Sequence, residues 1–174
     1  GMGMGTAIAA GKQVLVPPTL EIERTGQSVT IDGVELVFQM TPGTEAPSEF
    51  NVWLPALKAM VNSETATGTL HNVQTLRGAK VRDATKWAAY LNDSLRHVKN
   101  SEVVFNQHHW PVWGAANIQD FIVKQRDTYQ FIHDQTVRQM NAGLNAAEIA
   151  ENLRLPPSLD EHLSVRGYYG TVRH

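Results

Sequence analysis

The stretch ATKWAAYLNDSLRHVKNSEVVFNQHHWP, residues 84–111, decides the fold. Its first half places Ala84, Trp87, Ala88, Leu91 and Leu95 on one side of a helical wheel, with charged residues opposite. That pattern predicts a helix with one buried face. Asp83 stands before it as an N-cap, since a short carboxylate can accept from the first free backbone N–H groups. In the second half Glu102-Val103-Val104-Phe105 is rich in β-branched and aromatic residues and reads as a short strand. Residues 50–54 and 58–61 read as strands ahead of the helix. Strand, helix, strand in that order predicts a βαβ unit in an α/β (α+β) domain.

The second strand runs into Gln107-His108-His109-Trp110-Pro111. Open sheets gather ligands at the C-terminal ends of their strands. Neighbouring side chains on a strand point to opposite sides, so one of the two histidines can serve a given metal. A capping or half-buried histidine pair is the competing reading of the same residues.

Toward the N-terminus, Asp32-Gly33 lies between Ser28-Val29-Thr30-Ile31 and Val34-Glu35-Leu36-Val37-Phe38 and predicts a hairpin. Residues 41–47 and 63–68 read as loops from their proline, glycine and polar content. Residues 1–19, with Gly1-Met2-Gly3-Met4-Gly5 and Pro17-Pro18, read as an irregular lead-in whose first residues look added or displaced. Toward the C-terminus a long helix is expected over 117–140, with Ile118, Phe121, Ile122, Tyr129, Ile132, Val137 and Met140 as its stripe and Gly143 as its stop. Asn145 with Glu148 predicts a capped helix over 146–153. Pro156-Pro157 breaks it, and 158–163 can start another.

The chain has 174 residues, 42% hydrophobic and 18% charged, with a net charge of −2. That composition forms a core and argues against disorder. It offers no basic face for nucleic acid. With no cysteine, disulfides and thiolate-bound metals are excluded. No apolar run of about 18 residues exists, so no helix is expected to span a membrane. Compartment is left open.

Several residues could carry chemistry. Glu45 sits in a loop stiffened by Pro42 and Pro47, and Glu64 follows a short apolar strand. With His109 they supply oxygen and nitrogen donors of the kind zinc takes. Each carboxylate alone also reads as a solvated loop residue. The run His71-Asn72-Val73-Gln74-Thr75-Leu76-Arg77-Gly78, with Arg82 beyond it, offers amide, hydroxyl and guanidinium donors in a turn. Guanidinium forks suit a tetrahedral oxyanion. A helix entry with surface arginines is the alternative. Trp53, Trp87, Trp110 and Trp113 read as core or interface residues.

Taken together, these segments resemble the alkylsulfatase family of the metallo-β-lactamase superfamily. The matching stretches run in the family's order. They are residues 31–35, residues 38–47, Thr69-Leu70-His71-Asn72, residues 75–79, Val81-Arg82-Asp83, His108-His109-Trp110-Pro111 and residues 167–172. The resemblance implies a fold. Residues 20–113 would be the second half of an αββα sandwich, and 114–174 an all-helical segment leading into a dimerisation domain. It also implies a site. Glu45, Glu64 and His109 match zinc ligands of a two-zinc centre, and Asn72, Val73, Gln74, Thr75, Leu76, Arg77 and Arg82 match a sulfate-binding region. The substrate would be an alkyl sulfate, released as alcohol and inorganic sulfate.

Two residues depart from the family pattern: Gln74 stands where tyrosine is expected and Gln107 where serine is expected. The family's upstream His-x-His-x-Asp-His motif has no counterpart among the seven histidines here. Low zinc occupancy and no hydrolysis are therefore expected of this chain alone. Half a sandwich leaves an apolar sheet face open, so a homo-oligomer is expected, or a cover supplied by the 117–140 helix. The competing functions are a non-catalytic self-associating module and a related hydrolase of another ester.

Overall fold

A computed structural model describes residues 11, 12, 14–75 and 78–174. Six strands form one mixed sheet in sequence order. They are β1 (Ser28–Ile31), β2 (Val34–Met40), β3 (Phe50–Leu54), β4 (Ala59–Val61), β5 (Val103–Phe105) and β6 (Val112–Trp113). The first hairpin is the expected one. Asp32 and Gly33 both take positive φ, 50° and 82°, as a two-residue turn matched to strand twist requires. Neighbouring strands are antiparallel except β4 and β5, which are parallel. The crossover between those two contains α1 (Ala84–Val98). This is the βαβ unit read from residues 84–111, and the Asp83 side chain accepts from Lys86 N as its cap. Strand β6 escapes sequence reading because two residues after Pro111 are too short to show any period.

Helix α2 (Ala115–Asn141) begins earlier than expected, directly after Gly114. Asn145 caps α3 (Ala146–Asn152) with the reciprocal Glu148 bond in place. A short α4 (Pro157–Asp160) starts on proline rather than after it, since the first helical position needs no N–H donor. Among the described residues no helix is long and apolar enough to cross a membrane.

The strand registers sort the sheet into two faces. Val37, Trp53, Met60, Val104 and Val112 stand opposite one another across successive strands. They face α1 and α2, and Met60 and Val104 share one core with Trp87, Leu91, Ile118, Phe121, Ile122 and Tyr129. Phe38, Val52, Val61 and Phe105 form the alternate row, and alternation turns it away from the helices. The helix expected over 117–140 therefore does not cover the outer face: Ile118, Phe121, Ile122, Tyr129 and Ile132 of its stripe meet α1 and the inner row instead, while Val137 and Met140, expected in the same stripe, are 40% and 60% exposed. Phe105 and Trp113 remain 39% and 64% exposed.

At the end of α1 the His97 ring stacks on Trp53, with centroids 5.3 Å apart. Burial holds this imidazole below its usual range, and the Arg96 charge adds to that. The folded state therefore favours neutral His97, while the unfolded chain takes up a proton near the ordinary value of about 6.5. Its contribution to stability is present above that pH and is lost as pH falls through it. Urea midpoints measured from pH 8 to pH 5.5 are expected to fall more steeply for the wild type than for His97→Gln.

Candidate metal centre and anion cradle

Strands β2, β4 and β5 all run in one direction, because β3 is antiparallel to both β2 and β4 while β5 is parallel to β4. Their C-terminal ends therefore lie along one edge, and the loops that follow them converge there. The first loop carries Glu45 and Glu49, the second Glu64 and His71, and the third His108 and His109. This is the edge at which sheets with parallel strands place their ligands.

The first loop is closed by Thr41 N donating to Glu49 O at 2.9 Å and tied to the start of α1 by Asp83 N donating to Gly43 O at 2.9 Å. Arg82, buried behind it, donates from Nε to Glu45 O at 3.0 Å and from Nη2 to Glu45 Oε1 at 2.8 Å. Its Nη1 donates to both the backbone and side-chain oxygens of Asn72. One guanidinium thus fixes a candidate ligand and the first residue of the expected anion turn together.

The second loop is pinned from below. Thr65 Oγ1 lies 2.7 Å from Asn51 Oδ1, and Trp87 Nε1 donates to Thr65 O at 2.7 Å. Glu64 emerges from it with one oxygen 3.2 Å from His71 Nε2 and the other 3.2 Å from His108 Nε2. Donor atoms of Glu45, Glu64 and His71 all lie within 4.8 Å of one another. Carboxylate oxygen and imidazole nitrogen are a donor set that fits zinc. Glu49 adds a third acid, its Oε1 accepting from Glu64 N at 3.4 Å. Burial holds the Glu49 carboxyl above the usual carboxylate range, and the charges of Glu45 and Glu64 add to this.

His109 is placed differently from the other two expected ligands. Its Nδ1 lies 3.0 Å from Trp110 O. A carbonyl only accepts, so Nδ1 carries the proton and Nε2 is left as the free donor atom, as in metal-bound histidines. The ring lies flat on Gly68, where a Cβ would come within 1.6 Å of Cδ2. Only glycine leaves that cradle open. Gly68→Ala is therefore expected to swing His109 out while costing under about 1 kcal/mol of stability, because the half-exposed ring can move into solvent. His109 ring 1H–15N signals should shift with the melting temperature nearly unchanged.

The anion turn is backed by the C-terminal segment. Leu70 N donates to Arg166 O at 3.0 Å, and Gly170 N donates to Leu70 O at 2.9 Å. Asn72 Nδ2 donates to Tyr169 O at 3.4 Å, and the Tyr169 ring meets His71 edge-on at 4.9 Å. From the other side His71 N donates to Tyr129 Oη at 3.2 Å. Tyr129 is fully enclosed, and burial raises its phenol well above the usual range. Val73 packs against the core, Gln74 is exposed and Thr75 half-buried. Leu76 and Arg77, both expected in the anion turn, lie outside the described residues. Glu49, Gly68 and Tyr169 were not foreseen as parts of the site. No local pattern joins a loop acid, a loop glycine and a tyrosine from the chain's far end.

No family model matches the chain. An alkyl/aryl-sulfatase of Saccharomyces cerevisiae is 44% identical over 173 residues, 99% of this chain and 27% of that protein. A linear primary-alkylsulfatase of a Pseudomonas species is 42% identical over 175 residues, 100% of this chain and 26% of that one. The solved structure of a stereoselective inverting sec-alkylsulfatase from Pseudomonas superposes with a TM-score of 0.89 at 42% identity, covering 91% of this chain and 25% of that one. A metallo-beta-lactamase family protein from Thermus thermophilus, only 17% identical, superposes with a TM-score of 0.55 over 85% of this chain and 48% of that one. It speaks for the fold alone. The chain thus spans about a quarter of the length of the alkylsulfatases it matches. End to end, this chain is homologous to one continuous quarter of the alkylsulfatases and is built on the metallo-β-lactamase fold.

Proposed function

We propose that this chain supplies one side of a two-zinc alkyl sulfate hydrolase centre, in which Glu45, Glu64 and His109 are metal ligands. The residues from Asn72 to Arg77, with Arg82, form the sulfate cradle. One observation carries this reading: a single buried guanidinium, Arg82, joins the ligand loop at Glu45 to the anion turn at Asn72. Zinc in such a centre supplies a nucleophilic water at neutral pH.

The protein's own groups have separable tasks. Arg82 takes one oxygen of Glu45 and so fixes the orientation of that carboxylate. His108 and His71 bracket Glu64. Asn72, held by Arg82 and by Tyr169, is the residue of this turn whose amide would serve a tetrahedral headgroup. Positive charge fixed beside that headgroup offsets the negative charge that builds on sulfate as the ester bond breaks. The upstream ligands that the family uses must come from residues other than these 174.

Dodecyl sulfate incubated with the purified chain and zinc is accordingly expected to show no turnover; clear sulfate release would refute this division of the site. Inorganic sulfate should still shift the Asn72 side-chain amide signals, and the shift should be lost in Arg82→Met. Absence of any sulfate-induced change in the wild type would remove the cradle.

The outer sheet face supports a partner reading as well. Along that face Phe105 is 39% exposed and Trp113 64%, with Val52 and Val61 half-buried beside them and Phe38 buried, an apolar edge that a partner could cover. The chain on its own is expected to sediment as a homo-oligomer, and Phe105→Lys is expected to shift it toward monomer.

A further inference from the structure

We propose that the cavity between the inner sheet face and the last turn of α1 binds a short-chain alkyl carboxylate, with its chain among Val37, Trp53 and Met60 and its head on Arg96. The site is separate from the strand edge that carries Glu45 and Glu64. Helix α1 is tied to that edge at its start, where Asp83 N donates to Gly43 O. It then runs for 15 residues, which puts its last turn about 20 Å away.

The cavity has a volume of about 360 Å³. A dry apolar cavity of about 150 Å³ already takes benzene, so this one has room for a chain of about six to eight carbons. Strand register sets its walls. Val37, Trp53 and Met60 stand side by side on neighbouring strands and line it. The His97 ring, stacked on Trp53, closes one side. The amides that border it are engaged within the protein and make no demand on a ligand. Gln39 Nε2 donates to Tyr90 O at 2.8 Å, and Gln39 Oε1 accepts from Asn51 Nδ2 and Ser94 Oγ. Asn51 Oδ1 accepts from Thr65 Oγ1. Asn62 is fully enclosed and presents no surface. Such a lining recruits an apolar chain.

Charge selects the head. Among the described residues that border the cavity, Arg96 carries the fixed charge and no acidic side chain is present. Burial keeps the neighbouring His97 ring neutral at pH 7. Arg96 is exposed at the mouth, and its Nε donates to His97 Nε2 at 3.2 Å. That bond anchors the guanidinium beside the opening. Among the described residues its two Nη groups have no partner. Parallel N–H groups of this kind match the two oxygens of a carboxylate. A cationic head would find nothing to pair with, and a neutral one would leave the fork to water.

The test titrates octanoate, kept below its micelle concentration, into the 15N-labelled chain. Saturable shifts of the Trp53 indole N–H and of the Arg96 side-chain signals are the expected result. Butanoate is expected to bind at least about 10-fold more weakly, because the methylene groups it lacks are the ones in contact with the walls. Arg96→Gln is expected to weaken octanoate at least about 5-fold with the melting temperature unchanged, since that side chain is exposed. Wild-type chain that binds 1-octanol as tightly as octanoate, or Arg96→Gln that binds octanoate undiminished, overturns the assignment of the head to Arg96. Shifts gathered at Phe105 and Trp113 place octanoate on the outer sheet face and overturn the site itself, as does the absence of any saturable change.

Discussion

Trp87→Ala is expected to lower the stability of this chain by about 4 kcal/mol, the largest single effect foreseen here. The indole is fully enclosed. It stacks on Tyr129 with centroids 4.5 Å apart and planes 16° from parallel, a contact stronger than its area alone implies. Alanine leaves a void lined by α1, α2 and the sheet, and none of these rigid elements can collapse into it. The indole N–H is also the donor that holds Thr65 O, so the substitution strands a buried carbonyl. At roughly 2–4 °C per kcal/mol for a chain of this size, the melting temperature should fall by about 8–16 °C. The loop that carries Glu64 hangs on the same bond. Amide exchange around residues 63–68 should therefore quicken even at temperatures where the rest of the chain stays folded.

Gly170→Ala should cost about 3 kcal/mol, at the upper end for overpacking. A Cβ there would fall 2.4 Å from both Asn72 N and the His71 carbonyl carbon. Those are backbone atoms, and no side chain can rotate aside to make room. The chain must either lift the C-terminal segment away or push the His71–Asn72 peptide toward the ligands. The first course breaks the Gly170–Leu70 bond, and the second disturbs the Arg82–Asn72 contact. Gly167→Ala makes a fitting control, since its Cβ would meet neighbours no nearer than 3.3 Å and should cost less than about 1 kcal/mol. A fall of about 6–12 °C for Gly170→Ala with little change for Gly167→Ala would locate the contact at the anion turn. Equal small shifts in both would show that the C-terminal segment does not press on it.

How far the sequence carries the structure depends on whether a signal is local. Asp32-Gly33 predicts its hairpin because the turn's two positive φ angles are a property of those two residues. Asp83 and Asn145 predict their helix starts because a cap bonds N–H groups three residues on at most. The βαβ unit is legible because Trp87, Leu91 and Val104 each follow the period of their own element. Glu45 and Glu64 could be singled out by resemblance, and the structure brings them together.

Other features depend on distant partners. Gln125 sits on the inner side of α2, where periodicity expects an apolar residue. It is buried because its amide donates to Thr67 O and Ser164 O, on two different segments. His71 reads as one donor in a polar turn. Its burial comes from Trp87, Tyr129 and Tyr169, which lie on two helices and a terminal loop. Glu49 joins the acids only because β2 and β4 end at one edge. The mis-seated expectation for α2 has a similar origin. A helix's apolar stripe says that it packs, and the sheet's register decides on which face.

The central claim is that this segment carries working ligands and a working cradle that lack only residues found elsewhere in an alkylsulfatase. Exchanging it for the matched stretch of the Pseudomonas linear primary-alkylsulfatase, 42% identical over 175 residues, tests that claim directly. The account predicts a zinc-dependent hybrid that hydrolyses dodecyl sulfate and loses more than about 100-fold of that activity with Glu64→Gln in the exchanged segment. A folded hybrid that is inactive, or one whose activity survives Glu64→Gln, would contradict it.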